Sequence, residues 1–103
     1  MTTLQQTVFV VDDDVAVRTS LALLIRSMGL TVEAFDSAHA FLSVCDPERS
    51  GCLVLDIRMP GMSGLEMQEE LVRRAIGLPV IFITGHGDVS MAVRAMKLGA
   101  VDF

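Results

Sequence analysis

Basic residues and cysteines are scarce in this chain of 103 residues. Lysine and arginine number 8 against 13 aspartates and glutamates, which gives a net charge of -5 at pH 7. This acidic balance excludes the broad phosphate-binding surface of a nucleic-acid-binding domain. The two cysteines, Cys45 and Cys52, have neither a CxxC spacing nor a histidine companion. We therefore expect buried thiols and no disulfide or metal site at these positions.

Long apolar segments are also missing. The longest uninterrupted apolar run, Leu21 to Ile25, is far shorter than the roughly 20 residues that span a bilayer. The first residues, Met1 to Gln6, lack the basic start and apolar stretch of a secretory signal, so we expect a cytoplasmic protein without membrane contact. At roughly 100 to 200 residues per domain, we expect one domain over residues 1–103 and no second domain.

Short strand-like runs alternate with helix-length segments along the whole chain. The runs Thr7–Val11, Cys52–Leu55 and Pro79–Ile83 are apolar almost throughout, which is typical of strands buried on both faces of a parallel sheet. The run Thr31–Phe35 alternates polar and apolar residues, which favours an edge strand, and a fifth β-like run begins at Ala100. The pattern predicts a doubly wound α/β fold with a parallel sheet.

Apolar residues at helical spacing predict four helices between these strands. The first three stripes are Val17, Leu21, Leu24, Ile25 and Met28; Ala38, Phe41, Leu42 and Cys45; and Leu65, Leu71, Val72 and Ile76. The first helix is predicted to start after Asp14 and to end at Gly29, and the second to start after Ser37 and to end in the turn 47–51. The third is predicted to start after Ser63 and to end at Gly77, and the fourth to start after Asp88 and to end at Gly99. If the strand order is 2-1-3-4-5, right-handed crossovers place the first helix on one face of the sheet and the other three on the opposite face.

Acidic residues follow the first and third predicted strands. Asp12, Asp13 and Asp14 come directly after the first strand, and Asp56 comes directly after the third. Since ligands of such sheets bind beyond the carboxyl ends of the strands, these carboxylates converge if the two strands are neighbours. Clustered carboxylates need a cation, and an all-oxygen site suits magnesium or manganese. The alternative is that they are solvated turn residues and a helix cap.

A hydroxyl and exposed amides follow the fourth strand, at Thr84 and Gly85. A cation, a carboxylate nucleophile, a hydroxyl and backbone N–H groups together can accept a phosphoryl group, because that transfer needs mainly positioning and charge neutralisation. Asp56 is the predicted nucleophile, since it stands apart from the acidic run. The tight loop 58–64 after it could direct backbone carbonyls toward the metal.

Four segments, taken in order, resemble the receiver domain of two-component response regulators, particularly the branch attached to LuxR-type helix-turn-helix domains. They are VVDDD at 10–14, LDIRMPGMSG at 55–64, ITGHGD at 83–88 and AMKLGAVDF at 95–103. The resemblance covers nearly the whole chain. It implies a flavodoxin-like sheet of order 2-1-3-4-5, with the fifth strand incomplete and the fifth helix missing from these 103 residues.

The resemblance also implies roles for individual residues. Asp56 is the phosphoacceptor, and Asp12, Asp13, Asp56 and the backbone carbonyl of Arg58 bind magnesium. Thr84 is the switch hydroxyl, and Phe103 is the aromatic residue that turns inward when the hydroxyl moves. Gly85, beside Thr84, is expected at the phosphoryl group because of its exposed amide and not from the resemblance. The phosphoryl donor is a phosphohistidine on a sensor kinase, and the output is a conformational change rather than a released product, so we expect no enzyme.

Three family features are absent from the 103 residues, namely the lysine near the end of the fifth strand, the proline beside it and the fifth helix. Without that helix the third and fourth strands would expose part of the core, and we expect a homodimer, a swapped dimer or marginal stability. The partner surface would be the uncovered sheet face or the outer side of the fourth helix. That side carries Met91, Arg94, Ala95 and Leu98.

Three other functions are weighed against the phosphoacceptor. A nucleotide-binding flavodoxin-like domain would need a phosphate loop or a flavin loop after the first strand, where this chain has three acidic residues. A phosphatase of the haloacid dehalogenase type also uses an aspartyl nucleophile after a strand, but it needs a second aspartate two positions later, where this chain has Arg58. The strongest competitor is a truncated receiver that acts as a dimerisation or interaction module without being phosphorylated. Magnesium-dependent labelling of Asp56 distinguishes that module from the phosphoacceptor.

Overall fold

The computed structural model describes residues 6–83, and this part of the chain forms a parallel sheet flanked by helices. The elements in chain order are β1 (Thr7–Val11), α1 (Val15–Ser27), β2 (Thr31–Phe35), α2 (Ala38–Leu42), β3 (Gly51–Asp56), α3 (Gly64–Arg73) and β4 (Val80–Ile83). The strand order is β2-β1-β3-β4, and every neighbouring pair is parallel. The predicted fold and the order of these four strands are therefore confirmed. The predicted fourth helix and fifth strand lie outside the described residues.

The strand boundaries differ slightly from the sequence prediction. Strand β3 is one residue longer at each end than predicted, because Gly51 pairs with Thr7 and Asp56 pairs with Ile83. Strand β4 begins at Val80 instead of Pro79, since proline has no N–H group to donate to a ladder. The extra residue at the carboxyl end of β3 makes Asp56 part of the sheet itself.

The helices cover the two faces of the sheet unequally, as predicted. One apolar cluster combines Phe9 and Leu55 of the sheet with Phe41 of α2 and Leu71 of α3. The opposite cluster is smaller and centres on Ala22 of α1. The larger core therefore lies beneath α2 and α3, and α1 lies alone on the other face within the part of the chain that is described.

The buried stripe of α1 is narrower than the sequence predicted. Leu24 and Met28 were expected in the core but are 59% and 67% exposed. Ala22 makes the contact with Val10 and Val32 instead. Because α1 packs on the sheet through the small residue Ala22, it buries only a narrow strip of its surface. The flanking residues of the predicted stripe therefore remain exposed to solvent.

The face that carries α1 is partly bare over the third and fourth strands. Val54 and Ile81 are paired neighbours on this face, and Ile81 is 36% exposed. Val54 is only half-buried. Among the described residues, this part of the sheet is therefore only partly covered, and the predicted cause, a missing fifth helix, stays a prediction.

Helix α3 ends earlier than its sequence suggested. The predicted stop is Gly77, but the chain leaves the helix at Ala75, which adopts the left-handed conformation with φ 57°. The N–H of Ile76 donates to Leu71 O over 2.9 Å and that of Ala75 donates to Val72 O over 3.0 Å, a Schellman motif. The apolar contact between Ile76 and Leu71, both in the main core cluster, explains why a non-glycine residue accepts the strained conformation.

The buried face of α3 was predicted only in part. Leu65 and Leu71 are buried as expected, whereas Val72 is 58% exposed. Met67 and Gln68 are buried in its place at 0% and 2% exposure. The apolar stripe therefore lies further around the helix than the sequence spacing indicated.

The start of α3 is fixed by a reciprocal pair of hydrogen bonds. Ser63 Oγ accepts from the N–H of Glu66 over 3.2 Å, and Glu66 Oε1 accepts from the N–H of Ser63 over 3.0 Å. This capping box satisfies two backbone N–H groups that the helix itself leaves unpaired. It confirms the predicted N-cap.

Substitution of this cap has a defined expected cost. Ser63→Ala should lower the free energy of unfolding by about 1 kcal/mol, measured by urea denaturation with circular dichroism. Ser43→Ala is the matched control, because the exposed Ser43 hydroxyl only donates to Ala40 O within α2's last turn, and we expect a change within about 0.5 kcal/mol. Equal losses in the two variants would contradict the capping role.

The two cysteines are less buried than the sequence predicted. Cys45 and Cys52 are free thiols, as expected, but both are half-buried instead of fully buried. Burial still raises the pKa of the Cys52 thiol.

Among the described helices, none is long and apolar enough to cross a membrane.

Candidate functional site

Three carboxylates converge at the carboxyl edge of the sheet. Strands β1 and β3 are paired neighbours, with Val11 beside Leu55, so the residues that follow them leave the sheet side by side. Asp12, Asp13 and Asp56 each place a carboxylate oxygen within 4.8 Å of the others. We call these three residues the acidic cluster. The predicted convergence of acidic residues is therefore present in the structure.

Asp12 is the most firmly held member of the acidic cluster. It is only 4% exposed, and its Oδ1 accepts from the N–H of Asp14 over 2.9 Å. Its own N–H donates to Phe35 O at the end of β2 over 3.1 Å, and its carbonyl accepts from Arg18 Nη1 over 2.8 Å. Burial raises the pKa of the Asp12 carboxyl, and the Asp14 N–H group opposes that change.

Asp14 has a different task from its two neighbours. Its Oδ1 accepts from the N–H groups of Ala16 and Val17 over 2.8 and 3.3 Å, which makes it the N-cap of α1. A carboxylate in that position neutralises the positive end of the helix dipole. The helix-cap interpretation is thus correct for Asp14, while Asp12 and Asp13 join the acidic cluster.

Asp56 is the member of the cluster whose ionisation is most disfavoured. Its pKa is raised from the ordinary 3.8 to about 6, first because the group is partly buried and second because the Asp12 carboxylate is close. The N–H of Arg58 donates to Asp56 Oδ1 over 3.3 Å and offsets part of this rise. The ionised form therefore needs a positive partner in the site.

The acidic cluster fits a hard divalent cation. It offers only oxygen ligands, it is open to water through the exposed Asp13, and burial together with neighbouring carboxylates raises the pKa values of Asp12 and Asp56. Magnesium and manganese prefer such ligands and keep several waters when bound by a few carboxylates. No other group of three or more potential metal-ligating side chains occurs in residues 6–83.

The loop after Asp56 is tied back onto the strand that carries it. The N–H of Gly64 donates to Ile57 O over 2.9 Å, and Gly61 adopts φ 77° in the turn between them. Met59 is buried at 9% exposure, whereas Arg58 is exposed. This arrangement keeps the Arg58 peptide next to Asp56, and its predicted role as a carbonyl ligand stays a prediction.

At Gly64 the start of α3 packs directly against the backbone of Asp56. A Cβ at this position would collide with the carbonyl oxygen of Asp56 and lie 2.9 Å from Ile57 Cα. Only glycine allows the start of α3 to pack against the backbone of Asp56. Sequence reasoning placed Gly64 in the loop but did not identify this contact, because it joins two segments across the loop.

Several predicted site residues lie outside the described residues. These are Thr84, Gly85 and Phe103 at the phosphoryl group, and Met91, Arg94, Ala95 and Leu98 on the proposed partner surface. Sequence reasoning did not single out Arg18, whose contact with Asp12 is described above. The sequence feature that could have pointed to Arg18 is that a basic residue stands in the first turn of a helix, where the helix dipole disfavours positive charge.

Comparison with known proteins identifies the family. The response regulator receiver domain family matches residues 8–103. Nodulation protein W of Bradyrhizobium diazoefficiens is 59% identical over 96 residues, which are 93% of this chain and 42% of that protein. The transcriptional regulatory protein FixJ of Azorhizobium caulinodans is 57% identical over 96 residues, which are 93% of this chain and 46% of FixJ. The chain belongs to the response regulator receiver domain family.

The solved structures agree with this assignment. The low-resolution structure of the response regulator StyR superposes with a TM-score of 0.91 at 58% sequence identity, and the match covers 96% of this chain and 50% of that chain. The present chain thus spans about half the length of the regulators that it matches. The receiver class accounts for both the parallel sheet and the acidic cluster at its carboxyl edge.

Proposed function

We propose that residues 1–103 form one receiver domain in which Asp56 accepts a phosphoryl group from a phosphohistidine of a sensor histidine kinase. The observation that carries this proposal is the acidic cluster, with a half-buried carboxylate whose pKa is raised by burial and by the neighbouring Asp12. The domain is proposed to act in the cytoplasm and to control a transcription output domain. It releases no product and is not an enzyme in its own right.

The proposed transfer is a displacement at phosphorus. One Asp56 oxygen attacks the phosphorus atom, the bond from phosphorus to the donor nitrogen breaks, and the imidazole leaves with a proton. The product is an acyl phosphate on Asp56. Asp56 must be ionised to attack, and its burial and its neighbour Asp12 oppose that state.

Asp12, Asp13, Asp56 and the carbonyl of Arg58 are the proposed magnesium ligands. Bound there, magnesium supplies the positive charge that the ionised carboxylates and the transferred phosphoryl oxygens require. The positioning comes from the chain itself. Strands β1 and β3 align Asp12 with Asp56, and the loop after Asp56 holds the Arg58 peptide beside them. Thr84, Gly85 and Phe103 are proposed to read the phosphorylated state.

Intact-protein mass after incubation with acetyl phosphate tests the proposed function. We expect the unsubstituted chain to gain one phosphoryl group in magnesium and none in EDTA, and Asp56→Asn to gain none in either. Asp36→Asn is the matched control, because Asp36 is an exposed carboxylate outside the acidic cluster, and it should label like the unsubstituted chain.

Two other outcomes would contradict the phosphoacceptor role. Labelling that persists in Asp56→Asn would place the acceptor elsewhere in the chain. No labelling of a chain that is folded by circular dichroism would favour the interaction module, which dimerises or docks without phosphorylation. The bare sheet face at Val54 and Ile81 is the described surface that such a module could use.

A further inference from the structure

Arg18 reaches back from α1 to the strand end that carries Asp12. Its Nη1 donates to the backbone carbonyl of Asp12 over 2.8 Å, six residues earlier in the chain. The side chain is half-buried along this path. A single guanidinium nitrogen therefore connects the first turn of the helix to the acidic cluster.

The position of this arginine is unfavourable for the helix alone. A cation in the first turn of a helix is repelled by the positive end of the helix dipole. The first turn has no acidic residue, but the N-cap carboxylate of Asp14 offsets that end of the dipole. Arg18 is further compensated by the Asp12 carbonyl to which it donates and by the nearby Asp12 carboxylate, which interacts favourably with it.

Arg18 donates to a backbone carbonyl, as Arg74 also does to Leu42 O, but three other arginines in residues 6–83 also pair with carboxylates. Arg49 pairs with the carboxylate of Glu33, and Arg73 and Arg74 both pair with Glu70. Arg18 donates to a carbonyl, and within residues 6–83 no ion pair joins the Asp12 carboxylate to a cationic side chain. Those oxygens stay available to a metal ion.

Arg18 completes the set of contacts that fix the Asp12 peptide. The N–H of Asp12 is held by Phe35 O and its Oδ1 by the N–H of Asp14. The carbonyl is the remaining polar group of that backbone unit, and Arg18 holds it. Without this contact the Asp12 carbonyl would lose the donor that holds it. The backbone of the turn between β1 and α1 could then rotate at that carbonyl.

We propose that Arg18 is a positioning residue that sets the magnesium affinity of the acidic cluster by fixing the Asp12 peptide. The inference rests on the proposed function, which puts magnesium at Asp12, Asp13 and Asp56. Groups behind metal ligands commonly change metal affinity by about 10–100-fold when they are removed. Arg18 acts through Asp12 and does not itself touch the metal.

The sign of the effect separates positioning from simple electrostatics. Removing a cation near a magnesium site strengthens magnesium binding by Coulomb attraction. Removing a group that orients a ligand weakens it. Arg18→Met keeps most of the apolar stem but deletes the donor and the charge, so positioning predicts weaker binding and charge alone predicts tighter binding.

Isothermal titration calorimetry with magnesium chloride on the full chain measures this difference. We expect Arg18→Met to raise the magnesium Kd about tenfold. Arg18→Lys should lie within about threefold of the unsubstituted chain, since the native contact uses one donor and no bidentate fork. Arg26→Met is the matched control, because Arg26 lies in the last turn of the same helix, and its loss should leave the Kd unchanged or slightly lower.

Each result decides a different question. A magnesium Kd for Arg18→Met that is equal to or lower than that of the unsubstituted chain overturns the positioning role. No magnesium heat in the unsubstituted chain overturns the metal site and hence the proposed function. If Arg18→Met does not fold by circular dichroism, Arg18→Gln replaces it, because glutamine is too short to reach the carbonyl and positioning again predicts weaker binding.

Discussion

Asp56→Asn is expected to stabilise the metal-free protein by about 1–2 kcal/mol at neutral pH. The pKa of Asp56 is raised from 3.8 to about 6 in the folded protein, a shift equivalent to roughly 3 kcal/mol. Asp56 is half-buried, and solvent screening reduces the energetic effect to the smaller figure. Asparagine has nearly the same shape and removes the charge that is costly there.

The pH dependence follows from the direction of this shift. The folded protein binds the Asp56 proton more tightly than the unfolded chain, so this group makes the free energy of unfolding fall as the pH rises. The fall begins near the ordinary pKa of 3.8 and is complete just above about 6. The advantage of Asp56→Asn should therefore be absent at pH 3.5, grow through pH 5 and level off above pH 7.

Urea denaturation in EDTA across this pH range measures the effect. Circular dichroism is the suitable signal, because the chain contains no tryptophan or tyrosine. Asp36→Asn should show the same pH profile as the unsubstituted chain. A constant difference between Asp56→Asn and the unsubstituted chain at all pH values would show that the gain comes from something other than the charge of Asp56.

Magnesium should reverse the ranking of the two proteins. A ligand that binds only the folded state stabilises it by RT ln(1 + L/Kd), where L is the free ligand concentration, so the gain grows with the ratio of free ligand to Kd. The unsubstituted chain keeps all three carboxylates of the acidic cluster, and Asp56→Asn keeps two. We therefore expect saturating magnesium to stabilise the unsubstituted chain more than the variant.

The sheet and its acidic edge were predictable from the sequence because they depend on short-range patterns. Strands buried on both faces are apolar throughout, so β1 was located to the residue and β4 to within one residue. Once β1 and β3 are neighbours, the positions of Asp12 and Asp56 at their carboxyl ends follow directly. The acidic cluster is thus a consequence of strand order.

Helix burial was less predictable because it depends on what each helix packs against. Leu24 and Met28 share a stripe with Ile25, yet they are exposed while Ile25 is half-buried. The spacing of apolar residues shows which side of a helix is apolar. How wide a strip of that side is buried depends on the sheet residues it packs against, and α1 makes its contact through the small Ala22. The periodicity of α1 could not supply that width.

Contacts between distant segments were also beyond the sequence pattern. The hydrogen bond from Arg18 to Asp12 needs one particular side-chain conformation that reaches back over the helix start. The Ala75 conformation needs the Ile76 contact with Leu71 in the core, and the glycine rule pointed to Gly77 instead. The same holds for Gly64, whose importance becomes visible only when α3 is placed against Asp56.

Gly64→Ala is expected to lower the free energy of unfolding by about 1–3 kcal/mol, the usual cost of overpacking. The new methyl group would meet the Asp56 carbonyl oxygen and lie 2.9 Å from Ile57 Cα. Both are backbone atoms, so no flexible side chain can move aside. The structure can accept the methyl group only if the start of α3 separates from the strand that carries Asp56.

Gly77→Ala is the matched control for the glycine-to-alanine change. A Cβ at Gly77 has no heavy atom within 4 Å, and Gly77 has no positive φ. We expect this variant to be unchanged or more stable by about 0.4–1 kcal/mol, because alanine restricts the unfolded chain. Equal stability of Gly64→Ala and Gly77→Ala in urea would contradict the tight packing at Gly64.

The same displacement should also reach the metal site, which makes Gly64→Ala a test of how the fold supports the chemistry. Moving the start of α3 pulls on the hydrogen bond from the Gly64 N–H to Ile57 O, and this bond holds the loop that brings the Arg58 N–H to Asp56. We therefore expect weaker magnesium binding and slower labelling by acetyl phosphate in Gly64→Ala, even under conditions in which the variant remains fully folded. A folded Gly64→Ala with unchanged magnesium Kd and labelling rate would mean that the loop adjusts independently of α3. In that case the glycine would serve the packing of the helix and not the geometry of Asp56.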